Sequence, residues 1–351
     1  MDKNEYQEIL DLLSRYGGQG SVSESIFEQL RGLNVVGTHP TMPVNRTQFG
    51  MTFFTRPRLN LSNGNLQVFR PFNPMIVSGR RNLLPLAVRV MLDPVGAWQR
   101  GDTTLLVDEK QAFIPWLTSG IVSSSGWGDI APGTFTSQEG NHHESWSIMD
   151  DTGKQFRNWD MTTTFRNTTG NLILSLFFVW VMYQTLVYEG DMFPYPEADI
   201  EDEIDYYSCC YRLVLDQNRE RVVEWYSTLC YPMNVPIGIG ANFDINSPFN
   251  EEGKQHTINW RCAGVRAFDP ATLMNFNKIV SYYNPYMLDK FRESTMVRLA
   301  PHEYLHYNYH TFLRIDPYEG FLERWVDRNK YVEIKNKLAR GLGLGQAVTL
   351  T

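Results

Sequence analysis

Apolar and polar positions alternate differently in three stretches of the chain, residues 1–45, 46–280 and 281–351. In the first, Tyr6, Ile9, Leu10, Leu13 and Tyr16 recur at helical spacing, and Gly17-Gly18 ends the run. Ser21 and Glu24 have capping-box spacing and open a second short helix with Ile26, Phe27 and Leu30, which stops before Gly32. From about Gly37, proline, glycine and asparagine multiply and short β-rich runs take over. The run through Met51 to Thr55 reads as a strand that Pro57 breaks. Residues 82–98 and 112–122 are apolar runs interrupted by Pro85, Pro94 and Pro115, and residues 123–141 read as an exposed Ser/Gly-rich loop.

A clearer order of elements follows. Trp159, Met161, Thr163 and Phe165 alternate with polar partners, which predicts a strand. Thr168-Thr169-Gly170 turns the chain into Leu172–Val187, which is almost wholly apolar. That run is shorter than a typical membrane-spanning helix, contains Ser175, Gln184 and Thr185, and is followed by acidic residues; a buried helix is predicted, with no membrane partner. An acidic segment, Glu189 to Asp205, comes next. Tyr206–Leu215 and Arg221–Tyr226 form a predicted hairpin turning through Asp216–Glu220. His256, Ile258, Trp260 and Cys262 alternate with Thr257, Asn259, Arg261 and Ala263 in another strand. Near the end, Asp316 reads as an N-cap with Pro317 at the first helical position, and Phe321, Leu322, Trp325 and Val326 as the stripe of that helix. A helical pattern with Val332, Ile334 and Leu338 ends near Gly341, before a glycine-rich tail expected to be flexible unless a neighbour orders it.

Composition narrows the function. A chain of 351 residues, 42% hydrophobic and 20% charged, supports a large folded core. The net charge of −7 leaves no basic footprint for gripping nucleic acid. With 20 Phe, 18 Tyr and 9 Trp, extensive contact surface is expected. Cys209, Cys210, Cys230 and Cys262 form no C-x-x-C pair and read as reduced packing residues, the adjacent pair pointing to opposite faces of a strand. The N-terminus has neither a basic nor an apolar leader region, so no signal peptide is predicted.

The sharpest chemical candidate is His302-Glu303-Tyr304-Leu305-His306, an H-E-x-x-H. Inside a helix, that spacing puts two imidazoles one turn apart to hold zinc, with the glutamate as general base. Its surroundings argue against a hydrolase. Pro301 places any helix start at the motif and biases Ala300 towards extended backbone. His310 lies too close to be a metzincin third ligand, and Glu323 is a spaced candidate without support around it. No phosphate loop and no nucleophile elbow are present. No cofactor is expected, and a zinc hydrolase using His302, Glu303 and His306 is the alternative reading.

Several segments in order resemble a group of tailed-bacteriophage virion proteins. Met51–Ser62 is similar to that group's aromatic pair, Thr, Arg or Lys, Pro, then Leu-Asn-Leu. Ala112–Ile121 looks like its Phe-Ile-Pro-Leu-Leu element, and Met161–Phe165 with the helix after it like the strand and helix of a tail-tube-like core. Ile204–Tyr226, Tyr231–Gly240 and Asp269–Asn277 resemble its hairpin, its Pro-x-Asn-x-Pro segment and its closing segment. The resemblance implies an α+β, mainly β fold: a tail-tube-like β-sandwich or barrel packed by a buried helix, with helical extensions at both ends. It implies domains of 1–45 (assembly arm), 46–280 (core) and 281–351 (C-terminal extension). It also implies a non-enzymatic virion subunit of the tail tube, tube end, baseplate or neck, assembled in the host cytoplasm. As partners it implies copies of itself in a sixfold ring, neighbouring tail proteins, and DNA passing without specific binding. Here the helix is less polar than the group's usual helix, and the acidic segment is longer. Glu197, Asp199, Glu201, Asp202 and Glu203 are the candidates for an acidic lumen-facing or assembly surface.

Overall fold

A computed structural model describes residues 49–76, 83–104, 106–130, 132–150, 157–168, 170–200, 204–216, 218–238, 255–307 and 310–341. The two N-terminal helices, the arm at 1–45 and the tail after Gly341 lie outside the described residues. Residues 49–351 form one compact unit.

In chain order the elements are β1 (Phe49–Phe54), α1 (Asn63–Val68), α2 (Leu83–Leu92), α3 (Pro94–Arg100), α4 (Pro115–Gly120) and β2 (Ile121–Ser125). Then come β3 (Thr134–Thr136), β4 (Ser147–Met149), β5 (Asn158–Arg166), α5 (Leu172–Glu189), α6 (Pro196–Ile200), β6 (Ser208–Leu215), β7 (Val222–Pro232) and β8 (Gln255–Ala267). The chain continues through α7 (Pro270–Tyr283), α8 (Asp289–Thr295), β9 (Met296–Arg298), α9 (Tyr304–Tyr307), β10 (Phe312–Ile315), β11 (Leu322–Asp327) and α10 (Arg328–Gly341). The fold is α+β, built on a six-stranded antiparallel sheet in the order β1-β6-β7-β8-β5-β2.

Strand alternation sends neighbouring residues to opposite faces of that sheet. Phe54, Cys210, Cys230, Cys262, Trp260 and Phe165 turn to one face, where α5 and α2 pack on them. Phe53, Tyr211, Leu213 and Leu215 turn to the other, where α7 and the small sheet β10-β11-β9 close a second core. Cys209 and Cys210 fall on opposite faces as expected, all four cysteines are free, and burial pushes the Cys209 thiol up to about 12. The segment Leu172–Glu189 is long and apolar enough to cross a membrane by length and composition. In the fold it is the central helix of the first core, with Phe177, Trp180 and Tyr183 fully buried.

The resembling stretch around Arg56 acts as a clamp. Thr55 bridges to Phe113. The guanidinium of Arg56 is buried and donates to the carbonyls of Val90 (2.6 Å), Met91 (3.1 Å), Glu109 (3.3 Å) and Gln111 (3.3 Å). Two of those carbonyls lie in the last turn of α2, whose orphan acceptors need donors. Leu59 and Leu61 follow into the first core. A Thr-Arg-Pro-x-Leu-Asn-Leu string is therefore a staple between strand and helix.

Several expectations change. The residues from Asp316 to Val326 are no helix: residues 316–321 turn the chain after β10, and residues 322–326 belong to β11. Asp316 accepts from the amide of Tyr318 through its side chain and from Gly320 through its carbonyl, and Gly320 takes φ +72° to close the turn. The apolar spacing that suggests a helical stripe belongs to a strand buried on both sides, which local periodicity does not separate from a helix. Residues 83–100 hold two helices. Pro85 lies in the first turn of α2, and Pro94 follows the cap Asp93, whose carboxylate accepts from Gly96 N at 2.8 Å. The loop expected over 123–141 contains the end of β2 and the strand β3.

His256 is buried at the start of β8, neither of its ring nitrogens has a hydrogen-bond partner among the described residues, and burial lowers its pKa. The unfolded chain, with an ordinary value of about 6.5, takes up a proton that the fold resists. Stability is therefore full above about pH 6.5 and falls as pH drops through that value. Denaturant melts at pH 7.5 and 5.5 should show this loss in the wild type and a smaller one in His256→Phe.

Candidate assembly surfaces

Within the H-E-x-x-H, Glu303 serves packing. Ala300 is extended (ψ 153°), and Pro301–Glu303 form a single 3-10 turn before the one-turn α9. His302 and His306 are exposed. The Glu303 carboxylate accepts from Ala300 N (3.1 Å) and from the Tyr331 hydroxyl (2.8 Å) on α10. Tyr307 stacks on Tyr331 with centroids 5.1 Å apart. Burial, reinforced by Glu303, pushes the Tyr331 hydroxyl up to about 12, so it stays a donor. Glu323 is occupied too: it is buried and meets Arg314 (2.9 Å), Arg298 (3.0 Å) and the Trp325 indole (2.9 Å). Among the described residues, no group of three or more His, Cys, Asp or Glu is placed to hold a metal ion. Glu303→Ala is expected to leave metal content unchanged by elemental analysis and to cost about 1 kcal/mol of stability by urea melting, the worth of a partly exposed hydrogen bond.

The acidic segment is fastened at both ends. Tyr195 donates to buried Asp93 (2.9 Å), which also pairs with Arg100 (3.0 Å). Burial raises the Asp93 pKa against the pull of Arg100. A Cβ at Gly96 would overlap the Asp93 carboxylate and the Tyr195 hydroxyl, which explains the glycine. At the other end Tyr183 donates to Asp205, and burial and that carboxylate raise the tyrosine's pKa. Asn60 and Asn65 both donate to the Phe193 carbonyl (2.9 Å). Glu197 is exposed on α6; Asp199 lies on the same helix, and Glu201, Asp202 and Glu203 fall outside the described residues. The anchors Tyr183 and Asp93 belong to the side of the sheet covered by α5 and α2.

The opposite side of β2, β5 and β8 carries a polar surface. Register sets Ser125 beside Thr162 and Thr162 beside Asn259; a second row runs Ser123, Thr164, Thr257. The side chains join across strands: Thr162 to Asn259 at 3.1 Å and Thr164 to Thr257 at 3.4 Å. Arg261 pairs with Asp160 at 2.8 Å, which neutralises it. The alternation that predicts these strands contains this face in its polar half. β1 and β2 are the terminal strands of the sheet.

No curated protein matches the chain. The family model described as "Putative phage tail tube protein" matches residues 2–339. The match takes in the Arg56 clamp, the six-stranded sheet, the central helix and nearly all of α10. The chain belongs to this phage tail tube family, and its role is structural, in the virion tail.

Proposed function

We propose that the protein forms a closed ring around the DNA channel of the tail, sixfold as the resemblance implies, within the tube or at its ends. The observation that carries this is the polar face of β2, β5 and β8. Its two rows of hydroxyl and amide groups span three strands at one end of the sheet, while β1 and β6 at the other end contribute to a core on each face. The hydroxyl and amide rows, with Arg261 paired to Asp160 and a single further arginine, Arg166, exposed at the end of β5, offer passing DNA no run of cations to release its counterions. Terminal strands β1 and β2 are the natural points for sheets of adjacent copies to meet. Assembly takes place in the host cytoplasm, and neighbouring tail proteins stack above and below.

In this reading Glu197, Asp199, Glu201, Asp202 and Glu203 serve assembly and not the channel wall. Their segment is anchored to the helix-covered side of the sheet, opposite the hydroxyl rows. No catalytic role is assigned to any residue.

The test uses two substitutions on the channel face, Thr162→Lys and Thr257→Lys, in one chain. Assembled particles of this variant should retain double-stranded DNA at low salt and release it as salt rises, whereas wild-type particles should not retain it. Equal behaviour of the two would remove the hydroxyl face from the channel.

A further inference from the structure

Helix α5 carries no charged residue from Leu172 to Tyr188. A helix apolar all round is normally buried all round. Here Ile173, Leu176, Phe177, Trp180 and Tyr183 are buried, while Leu174, Phe178, Val181 and Met182 are only half-buried and Tyr188 is exposed. Leu174 and Phe178, with Pro71, Pro74, Pro85 and Ile237, line an apolar recess of about 250 Å³ beside α2. Among the described residues no lining residue is charged, and exposed Arg70 directly precedes the lining residue Pro71 in the chain.

A second apolar surface stands open on the same chain. The ribbon β3–β4 has Phe135 opposite Ile148, and Trp146 lies 6.1 Å from the Phe135 ring. These three share one face and are 50%, 52% and 57% exposed for Phe135, Ile148 and Trp146. Thr134, Thr136 and Ser147 take the other face together with exposed Met149, and there Thr136 bonds Ser147. An isolated two-stranded ribbon is marginal in water, and an aromatic face on one marks a contact site. Residues 126–150 contain Asp129, Glu139, Glu144 and Asp150 and no Lys or Arg. A negative ribbon thus matches a recess whose described lining has no carboxylate and whose residue Pro71 follows an exposed arginine. Among the described residues both surfaces are open, so the ribbon does not fill its own recess.

We propose that the ribbon of one copy seats Phe135, Trp146 and Ile148 in the α2–α5 recess of the next, with its carboxylates towards Arg70. Such a contact joins two different patches and propagates head to tail into a ring or filament. It rests on the ring reading for the identity of its occupant, a second copy of this chain.

The test uses full-length Trp146→Glu and Ile237→Glu proteins, both altered at exposed positions, in sedimentation velocity over a concentration series. Each alone should self-associate about tenfold more weakly or worse than wild type, with an unchanged circular dichroism spectrum. An equimolar mixture should give a 1:1 dimer that grows no further, because each partner keeps one intact surface. If either variant misfolds, Trp146→Cys and Ile237→Cys proteins should form a disulfide-linked dimer under oxidised glutathione only when mixed. Wild-type-like assembly of both variants, or no dimer in either mixture, overturns the contact while leaving the ring reading in place. Binding of wild type to phosphatidylcholine vesicles that Ile237→Glu abolishes would assign the recess to a membrane and overturn it also. A wild type that stays monomeric at every concentration would count against the ring reading itself.

Discussion

Trp260→Ala should lower the free energy of unfolding by about 3–5 kcal/mol, the range for deleting a large buried aromatic. Trp260 is fully buried on β8, stacks on Phe54 at 4.7 Å, and meets the edges of Phe177 and Trp180 at 5.5 and 5.7 Å. Its indole donates to Thr163 Oγ1 at 2.6 Å, so truncation also strips a buried hydroxyl of its partner. The cluster joins β1, β5, β8 and α5, four elements distant in sequence, and little around it can collapse into the space. Guanidinium melting of the purified variant measures the loss. A fall under about 1 kcal/mol would mean that the helix and sheet are not packed as described.

Glu323→Ala ranks second, at about 3 kcal/mol or more. The carboxylate is 6% exposed and holds Arg314 directly across the hairpin, Arg298 on β9 and the Trp325 indole. Removing it leaves the Arg314 guanidinium, itself little exposed, without this partner in a low-dielectric setting. Its remaining partner, Asp289 at 3.5 Å, is largely exposed and compensates only in part, so the desolvated charge costs more than the pair is worth intact. Glu323→Ala combined with Arg314→Met should recover part of the loss, and thermal melts of the single and double variants give the coupling directly. No recovery would mean that the two side chains act independently.

The residues that carry the sheet were legible because one half of each repeat is polar. Thr162 and Thr164 between Met161, Thr163 and Phe165, and Thr257 and Asn259 between His256, Ile258 and Trp260, announce strands and also hold the proposed channel face. The hairpin of β6 and β7 was legible from its turn. The central helix was legible from its length and its polar interruptions, but its uncovered side was not: composition records that a helix is apolar, not how much of it the fold covers. Prolines misdirected the reading of residues 83–100, because Pro85 and Pro94 lie in first turns, where a missing amide donor costs nothing. The Leu322–Asp327 strand was hidden because Leu322 and Glu323 are both buried, so period-two alternation is lost. The strand β3 lay inside the stretch read as a loop and β4 gave no strand signal, since strands of three residues are too short to show a period. For His302-Glu303-His306 the decisive feature was Pro301, which starts the helical stretch at the motif itself, so that His302 and Glu303 fall in a 3-10 turn and His306 in the one-turn α9 after it.

The central claim is that the chain builds a ring whose channel is lined by β2, β5 and β8. Cryo-electron microscopy of the assembled full-length protein tests it most directly. A closed ring is expected, with Ser125, Thr162 and Asn259 facing the axis and the acidic segment away from it. A ring with those hydroxyl rows on its outer surface, or with the acidic segment lining the channel, would contradict it.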